Sequence, residues 1–365
     1  MLDLTLLNGL IQKDPGVIVG PIATFMGWII DFIFNLVYPF TEKNSLGISI
    51  IVLTLIMRFV MLPLAFKSQK SVMAMQKLAP EIEKIKNKYG SAKDPESMQK
   101  MNAETQALYA KHKVNPLSGC LPLFIQMPVF FALNYLMNQS FLFIGKLSRL
   151  YDELANAIYK VPYWTGMIMN RAPTHVPKNM QPFDIAPMTD PSTGSLNFHN
   201  LKKILNRFSE TDWNILLDGD PANPKWSSVI AQAPKELYDQ ILNLYAQKQN
   251  IEIFCGLNLL DPSGWLFPGV LIPILTAVTT FLTSWLSMKV TAQANKDPNA
   301  MMQQRIMLLV MPVMMGALTI NYPSGVGIYW ITSSVFQVIQ QALLNQKYGI
   351  HFSVQKKEEK KQNVG

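Results

Sequence analysis

The sequence predicts an all-α, polytopic membrane protein with five spans, and three observations carry that prediction. Only 15% of the 365 residues are charged, against about 25% in ordinary soluble domains, while 49% are hydrophobic. The apolar residues fall in long blocks without charge, and basic residues gather in alternate connections between those blocks. The positive mean hydropathy, +0.14, agrees. A disordered chain, a disulfide scaffold and an ordinary cytosolic enzyme are all disfavoured.

Each element follows from where charge is missing. Within residues 1–43, the stretch 16–40 is apolar but holds Asp31, and no Lys or Arg precedes Lys13 to make a signal-peptide n-region. It reads as an interfacial helix with Trp28 and Tyr38 at headgroup level, or as a sixth span. The first core span is 44–66, 23 residues whose one charge is Arg58. Residues 114–145 carry no charge and supply the second span, 114–137; residues 262–288 are equally free of charge and supply the third. Residues 306–346, 41 without charge, are long enough for the fourth and fifth, with Asn321-Tyr322-Pro323-Ser324-Gly325 as the turn between them.

The connections set the orientation. Residues 67–113 hold ten Lys against five acids, whereas 138–261 hold eleven basic residues against twelve acids. The loop 289–305 has three basic residues and one acid, and the tail 347–365 has five Lys and two Glu. Basic excess therefore alternates, which puts 67–113, 289–305 and the tail in the cytoplasm and the N-terminus and 138–261 outside.

The segment 67–113 reads as a helical hairpin. Met75, Leu78, Ile82, Ile85 and Tyr89 follow a 3,4 spacing, and so do Met98, Met101, Thr105, Leu108 and His112. Pro80 should kink the first arm and Gly90 should end it, while Asp94, Pro95 and Glu96 give the second arm an N-cap, an N1 proline and a first-turn acid. The arms are either a self-packed pair with solvated Lys faces or a recruiting surface. In the second case Met73, Met75, Met98 and Met101 offer an adaptable apolar patch for substrate. In the outer segment, 148–161, 198–208 and 234–254 look helical, giving a small, mostly helical lobe. Closing a long connection costs little extra free energy, so the core is expected to work with 146–255 replaced by a short linker.

Chemistry-bearing motifs are scarce. The four His are scattered, and no metal, phosphate-loop or nucleophile-elbow spacing occurs, so neither an enzyme nor a cofactor is expected. Cys120 and Cys255 fall on opposite sides of about 30 Å of bilayer and cannot pair. What stands out is Arg58 at the middle of an apolar span. A guanidinium does not give up its proton, and no Asp or Glu occurs in the five spans to pair with it. Its expected neighbours are Thr54 one turn earlier and Gln126, Asn134, Thr279, Thr283, Ser284 and Gln337 on other spans.

These residues resemble a known family. Ile51-Val52-Leu53-Thr54-Leu55-Ile56-Met57-Arg58 with Leu62-Pro63-Leu64 is similar to the first core span of YidC-type membrane protein insertases, the Oxa/Alb superfamily. Asn115-Pro116-Leu117-Ser118-Gly119-Cys120-Leu121-Pro122 and Gln126-Met127-Pro128-Val129-Phe130 resemble its second. Asp297-Pro298, Met302-Gln303-Gln304, Met311-Pro312, Tyr322-Pro323-Ser324-Gly325 and Tyr329-Trp330 resemble its last two. The resemblance covers roughly 45–145 and 257–346.

It implies five spans around a hydrophilic groove, closed on the outside, whose arginine draws in the polar outer part of a nascent membrane protein. The apolar segment then leaves into lipid along the third and fifth spans. It further implies a groove of Arg58, Thr54, Gln126, Asn134, Thr283, Ser284, Trp330 and Gln337. Ser284 stands where many members have Gln, and Trp330 where some have Tyr. Implied partners are nascent membrane proteins, lipid, a Sec translocon and the ribosome, with no specific nucleic acid. The implied setting is the bacterial plasma membrane, with the chain acting as a monomer. The 138–256 insertion departs from the family, whose large outer domains usually precede the first core span. Two competing readings are an anion transporter using Arg58, for which no internal repeat is seen, and an assembly factor whose groove is never a transit path.

Overall fold

The computed structural model describes residues 16–89, 94–115, 121–162, 198–219, 230, 233–291 and 298–362. It is almost wholly helical. In chain order the helices are α1 (Gly16–Thr41), α2 (Ser45–Lys77), α3 (Ala79–Tyr89), α4 (Pro95–Lys111), α5 (Leu121–Asn138), α6 (Ser140–Phe143), α7 (Gly145–Tyr159), α8 (Phe198–Arg207), α9 (Glu210–Asp218) and α10 (Lys235–Glu252). A two-residue antiparallel hairpin follows, β1 (Ile253–Phe254) with β2 (Leu257–Asn258). Then come α11 (Leu271–Thr291), α12 (Pro298–Thr319) and α13 (Ser324–Gln362).

Each of the five expected spans carries one helix: α2, α5, α11, α12 and α13. Their ends differ from the charge boundaries, because a helix stops where its backbone is broken and not where polarity changes. Thus α2 runs eleven residues past Phe66, α12 starts at Pro298, and α13 carries the basic tail onward to Gln362. Among the described residues α1 and the 45–72 part of α2 are long and apolar enough to cross a membrane, and shorter apolar helices lie at Leu271–Ser287 and Leu308–Thr319.

The chain forms two compact units. One comprises residues 1–53, 128–269 and 321–328, so it contains the outer lobe together with α1 and the first residues of α2 and α13. Its core joins Met26, Ile30 and Phe34 of α1, Leu46 and Ile50 of α2, Leu133 and Leu136 of α5, and Tyr151, Leu154 and Trp213 of the lobe. The lobe is therefore no free loop. Asp31 accepts a hydrogen bond from the Gly145 backbone N–H at 2.8 Å. The Phe254 ring lies so close to Gly47 that a β-carbon there would collide with it. Gly325 N donates to Leu259 O at 2.8 Å, and Ser324 N to Asp261 O at 2.8 Å.

The lobe's three expected helices form as α7, α8 and α10. Sequence reading extends the last through Phe254, whereas the helix stops at Glu252 and the next two residues enter β1. Two helices were not anticipated, the four-residue α6 and α9. α9 opens with a full capping box, Ser209 and Asp212 each bonding the other's backbone N–H, which satisfies two donors that a helix start leaves orphaned.

A buried ion pair lies among the lobe's aromatic rings. Lys248 Nζ sits 2.6 Å from Glu252 Oε2, with the two side chains 2% and 0% exposed. Tyr151 donates to the other Glu252 oxygen at 2.9 Å, and the rings of Trp213, Tyr245 and Tyr151 stand 5.3, 5.8 and 5.9 Å from the ammonium. Burial pushes the Tyr151 hydroxyl well above its usual range, with Glu252 adding to the effect. Asp261 is raised to about 6, chiefly by burial and against the pull of Lys248.

The second unit holds residues 54–127, 270–320 and 329–365. In it α11 and α12 pack along each other, so closely that Gly316 faces the Pro273 carbonyl, 2.8 Å from where a β-carbon would stand. The helical hairpin is α3 against α4. The break before α3 falls at Leu78, and Pro80 lies in the first turn of α3, where a missing N–H costs nothing. Asp94 caps α4 by accepting from Ser97 N at 2.8 Å, which holds its carboxyl below the usual carboxylate range. Gly90 lies outside the described residues. Tyr89 and Lys88 both donate to Glu104, closing the hairpin.

Candidate functional site around Arg58

Arg58 sits on α2 in the second unit, half-buried. Its guanidinium is held by neutral groups. Nε donates to Ser333 Oγ at 2.8 Å. Gln337, its amide oriented with the oxygen toward the guanidinium, accepts from Nη1 at 2.7 Å and Nη2 at 2.6 Å. The opposite orientation would set donors against donors. Ser333 and Gln337 are four residues apart on α13, hence on one face, and a planar fork of donors matches two such acceptors where a lysine ammonium would not. Phe59 and Phe336 meet edge-on beside this contact, ring centroids 5.3 Å apart, and fix α2 against α13 at that level.

A further polar chain continues from Ser333. The Tyr329 hydroxyl bonds with Ser333 one turn away and takes a hydrogen bond from Gln126 Nε2 on α5. Thr54 is fully buried one turn before Arg58. On α11, Thr283 donates to its own Thr279 carbonyl at 2.9 Å and lies 3.4 Å from the Ser334 carbonyl of α13. Ser284 and Trp330 are half-buried on the same two helices.

Arg58, Thr54, Gln126, Thr283, Ser284, Trp330 and Gln337 thus all belong to one unit, and Gln337 bonds Arg58 directly. Asn134 is described with its own unit. It belongs to the first unit, where Asn138 donates to its side-chain oxygen at 3.0 Å and Asn206 bonds the Asn138 carbonyl and Ser140. Sequence reasoning missed Ser333 and Tyr329. The signal was present, since both lie at i−4 and i−8 from Gln337. Of the hairpin methionines, Met75 and Met101 are half-buried and Met98 is exposed, while the Met73 side chain lies outside the described residues. So does the motif at 116–120, including Cys120. Cys255 is exposed and free.

A helical membrane protein with a half-buried cation held by a hydroxyl and an amide is the class these features define. The chain belongs to the 60Kd inner membrane protein family, which it matches over residues 36–199 and 232–351. It is 26% identical over 321 residues to the membrane protein insertase YidC of Oceanobacillus iheyensis, covering 88% of this chain and 81% of that protein. It is also 26% identical over 301 residues to membrane protein insertase YidC 2 of Bacillus anthracis, covering 82% and 72%. A shorter match, 45% identical over 111 residues, joins it to the membrane protein insertase YidC of Fusobacterium nucleatum, covering 28% of this chain and 52% of that one.

Proposed function

We propose that this chain inserts nascent membrane proteins by offering their polar outer segments a hydrated route past Arg58. The observation that carries this reading is a half-buried guanidinium whose partners, Ser333 and Gln337, are neutral. Its charge is thereby oriented but not cancelled. Carrying a charged or unpaired polar group through dry hydrocarbon costs several kcal/mol. A fixed cation among hydroxyls and amides lowers that barrier for an acidic or polar tail, and partitioning of the apolar segment into lipid drives the rest. No bond is made or broken, so no catalytic residue, cofactor or nucleotide enters.

In this reading α2, α5, α11, α12 and α13 cross the bacterial plasma membrane, α1 lies in the outer interface, the N-terminus is outside and the tail is cytoplasmic. Thr54, Gln126, Thr283, Ser284, Trp330 and Gln337 line the route, with Ser333 and Tyr329 added to them. The substrate leaves along α11 and α13. The α3–α4 hairpin, with its methionines, recruits substrate or the ribosome, and a Sec translocon is a further partner. The protein works as a monomer. The transporter reading draws no support from the named relatives. Liposomes holding only the purified protein, with no energy source, should insert a single-span substrate several-fold faster than protein-free liposomes. Equal rates would refute the proposal.

A further inference from the structure

Three consecutive large apolar side chains stand free just before α11. Trp265, Leu266 and Phe267 are 73%, 84% and 79% exposed. Their presentation is built in, because the loop folds tightly on itself. Gly269 packs against the Ser263 backbone carbonyl, where any β-carbon would collide, and Leu266 O lies close by. The whole stretch 262–288 contains no charged residue. On α11 itself Leu271, Ile274, Leu275, Val278 and Leu282 are exposed at helical spacing, a continuous apolar stripe that starts four residues after Phe267.

The length of α11 places the tripeptide. Its 21 residues, Leu271–Thr291, are about 31 Å long at 1.5 Å per residue. That matches a bilayer's hydrocarbon core of about 30 Å, so residues a few positions before Leu271 fall at the interface. Tryptophan favours that depth because its ring is apolar and its N–H can meet water or headgroups.

We infer that Trp265, Leu266 and Phe267 form a lipid anchor that inserts into the outer leaflet of the phospholipid bilayer beside the start of the third span. The inference rests on the reading of α11 as membrane-spanning, and the test separates the two. The full chain, with Cys120→Ser and Cys255→Ser, is spin-labelled at Leu266→Cys, at Val278→Cys in the exposed stripe of α11, or at Glu236→Cys on the exposed surface of the lobe. Each is reconstituted in phosphatidylethanolamine–phosphatidylglycerol liposomes, and collision rates with oxygen and with a water-soluble nickel chelate are compared.

Leu266 is the most exposed of the three, so the label replaces no packing. Oxygen collisions should exceed nickel collisions several-fold at Leu266 and at Val278, with the order reversed at Glu236. A lipid profile at Val278 with a water profile at Leu266 overturns the anchor alone. Exclusion of both reagents at Leu266 also overturns it, by showing a protein contact there, such as a second copy. A water profile at Val278 overturns the span and the anchor with it.

Discussion

Removing one member of the Lys248–Glu252 pair tests whether the outer lobe is held together as the structure has it. The Glu252→Gln change keeps the size of the side chain and an acceptor for Tyr151, but it withdraws the charge that faces an ammonium only 2% exposed. Breaking a buried pair from one side costs roughly 3–5 kcal/mol, because the surviving charge is left uncompensated. Three aromatic rings within 6 Å of Lys248 soften that cost, each worth about 0.5–2 kcal/mol. The lower end, about 3 kcal/mol, is therefore expected. Lys248→Met should cost a similar amount by stranding the carboxylate. The double change Lys248→Met with Glu252→Gln leaves no charge to strand, so it should be more stable than either single change. Unfolding of the detergent-solubilised protein, followed by pulse proteolysis and by Trp fluorescence with Trp213 in the cage, measures all four corners of the cycle. Single changes costing under about 1 kcal/mol, or a double change as costly as their sum, would refute the reasoning.

Three further outcomes are expected. Gly47→Ala should destabilise the first unit by about 1–3 kcal/mol by driving a methyl into the Phe254 ring, and Phe254→Leu should recover part of that loss in the same unfolding assay. Asp261 should make stability fall as pH rises: its folded value, about 6, lies above the usual 3.8, so its stabilising contribution is full below about 4 and lost as pH passes 6. Asp261→Asn should flatten that slope and exceed the wild type in stability above pH 7. Deleting the arms α3 and α4 should lower insertion of substrate while the remaining helices stay protease-resistant, and undiminished insertion would remove the recruiting role.

Features set by local polarity were legible in the sequence. Apolar blocks located α2, α5, α11, α12 and α13, and the Asp94-Pro95-Glu96 run located the start of α4. Arg58 was conspicuous because nothing acidic shares its segment, and Gln337 was among its anticipated partners. Ser333 was overlooked because a serine in an apolar helix bonds its own backbone as readily as a distant side chain. Asn134 was expected among the partners of Arg58 by polarity, and the partner seen for its side chain is Asn138, one turn on.

Contacts distant in sequence were out of reach. Nothing local to Gly47 announces Phe254, and two-residue strands are too short to show an alternating pattern. For that reason the outer segment looked detachable. Phe254, Leu259 and Asp261 instead join the packing at the starts of α2 and α13, so replacing 146–255 would remove the Phe254 contact on α2 as well as the lobe.

The most direct test of the central claim varies substrate charge against Arg58 in reconstituted liposomes. Single-span substrates with acidic, neutral or basic outer tails are inserted by the wild type, Arg58→Lys, Arg58→Ala and Gln337→Leu proteins. Acidic tails should insert fastest with the wild type, more slowly with Arg58→Lys and Gln337→Leu, which lose the fork or its seat, and at the protein-free rate with Arg58→Ala. Equal insertion by Arg58→Ala and wild type across all three tails would contradict a role for the Arg58 charge.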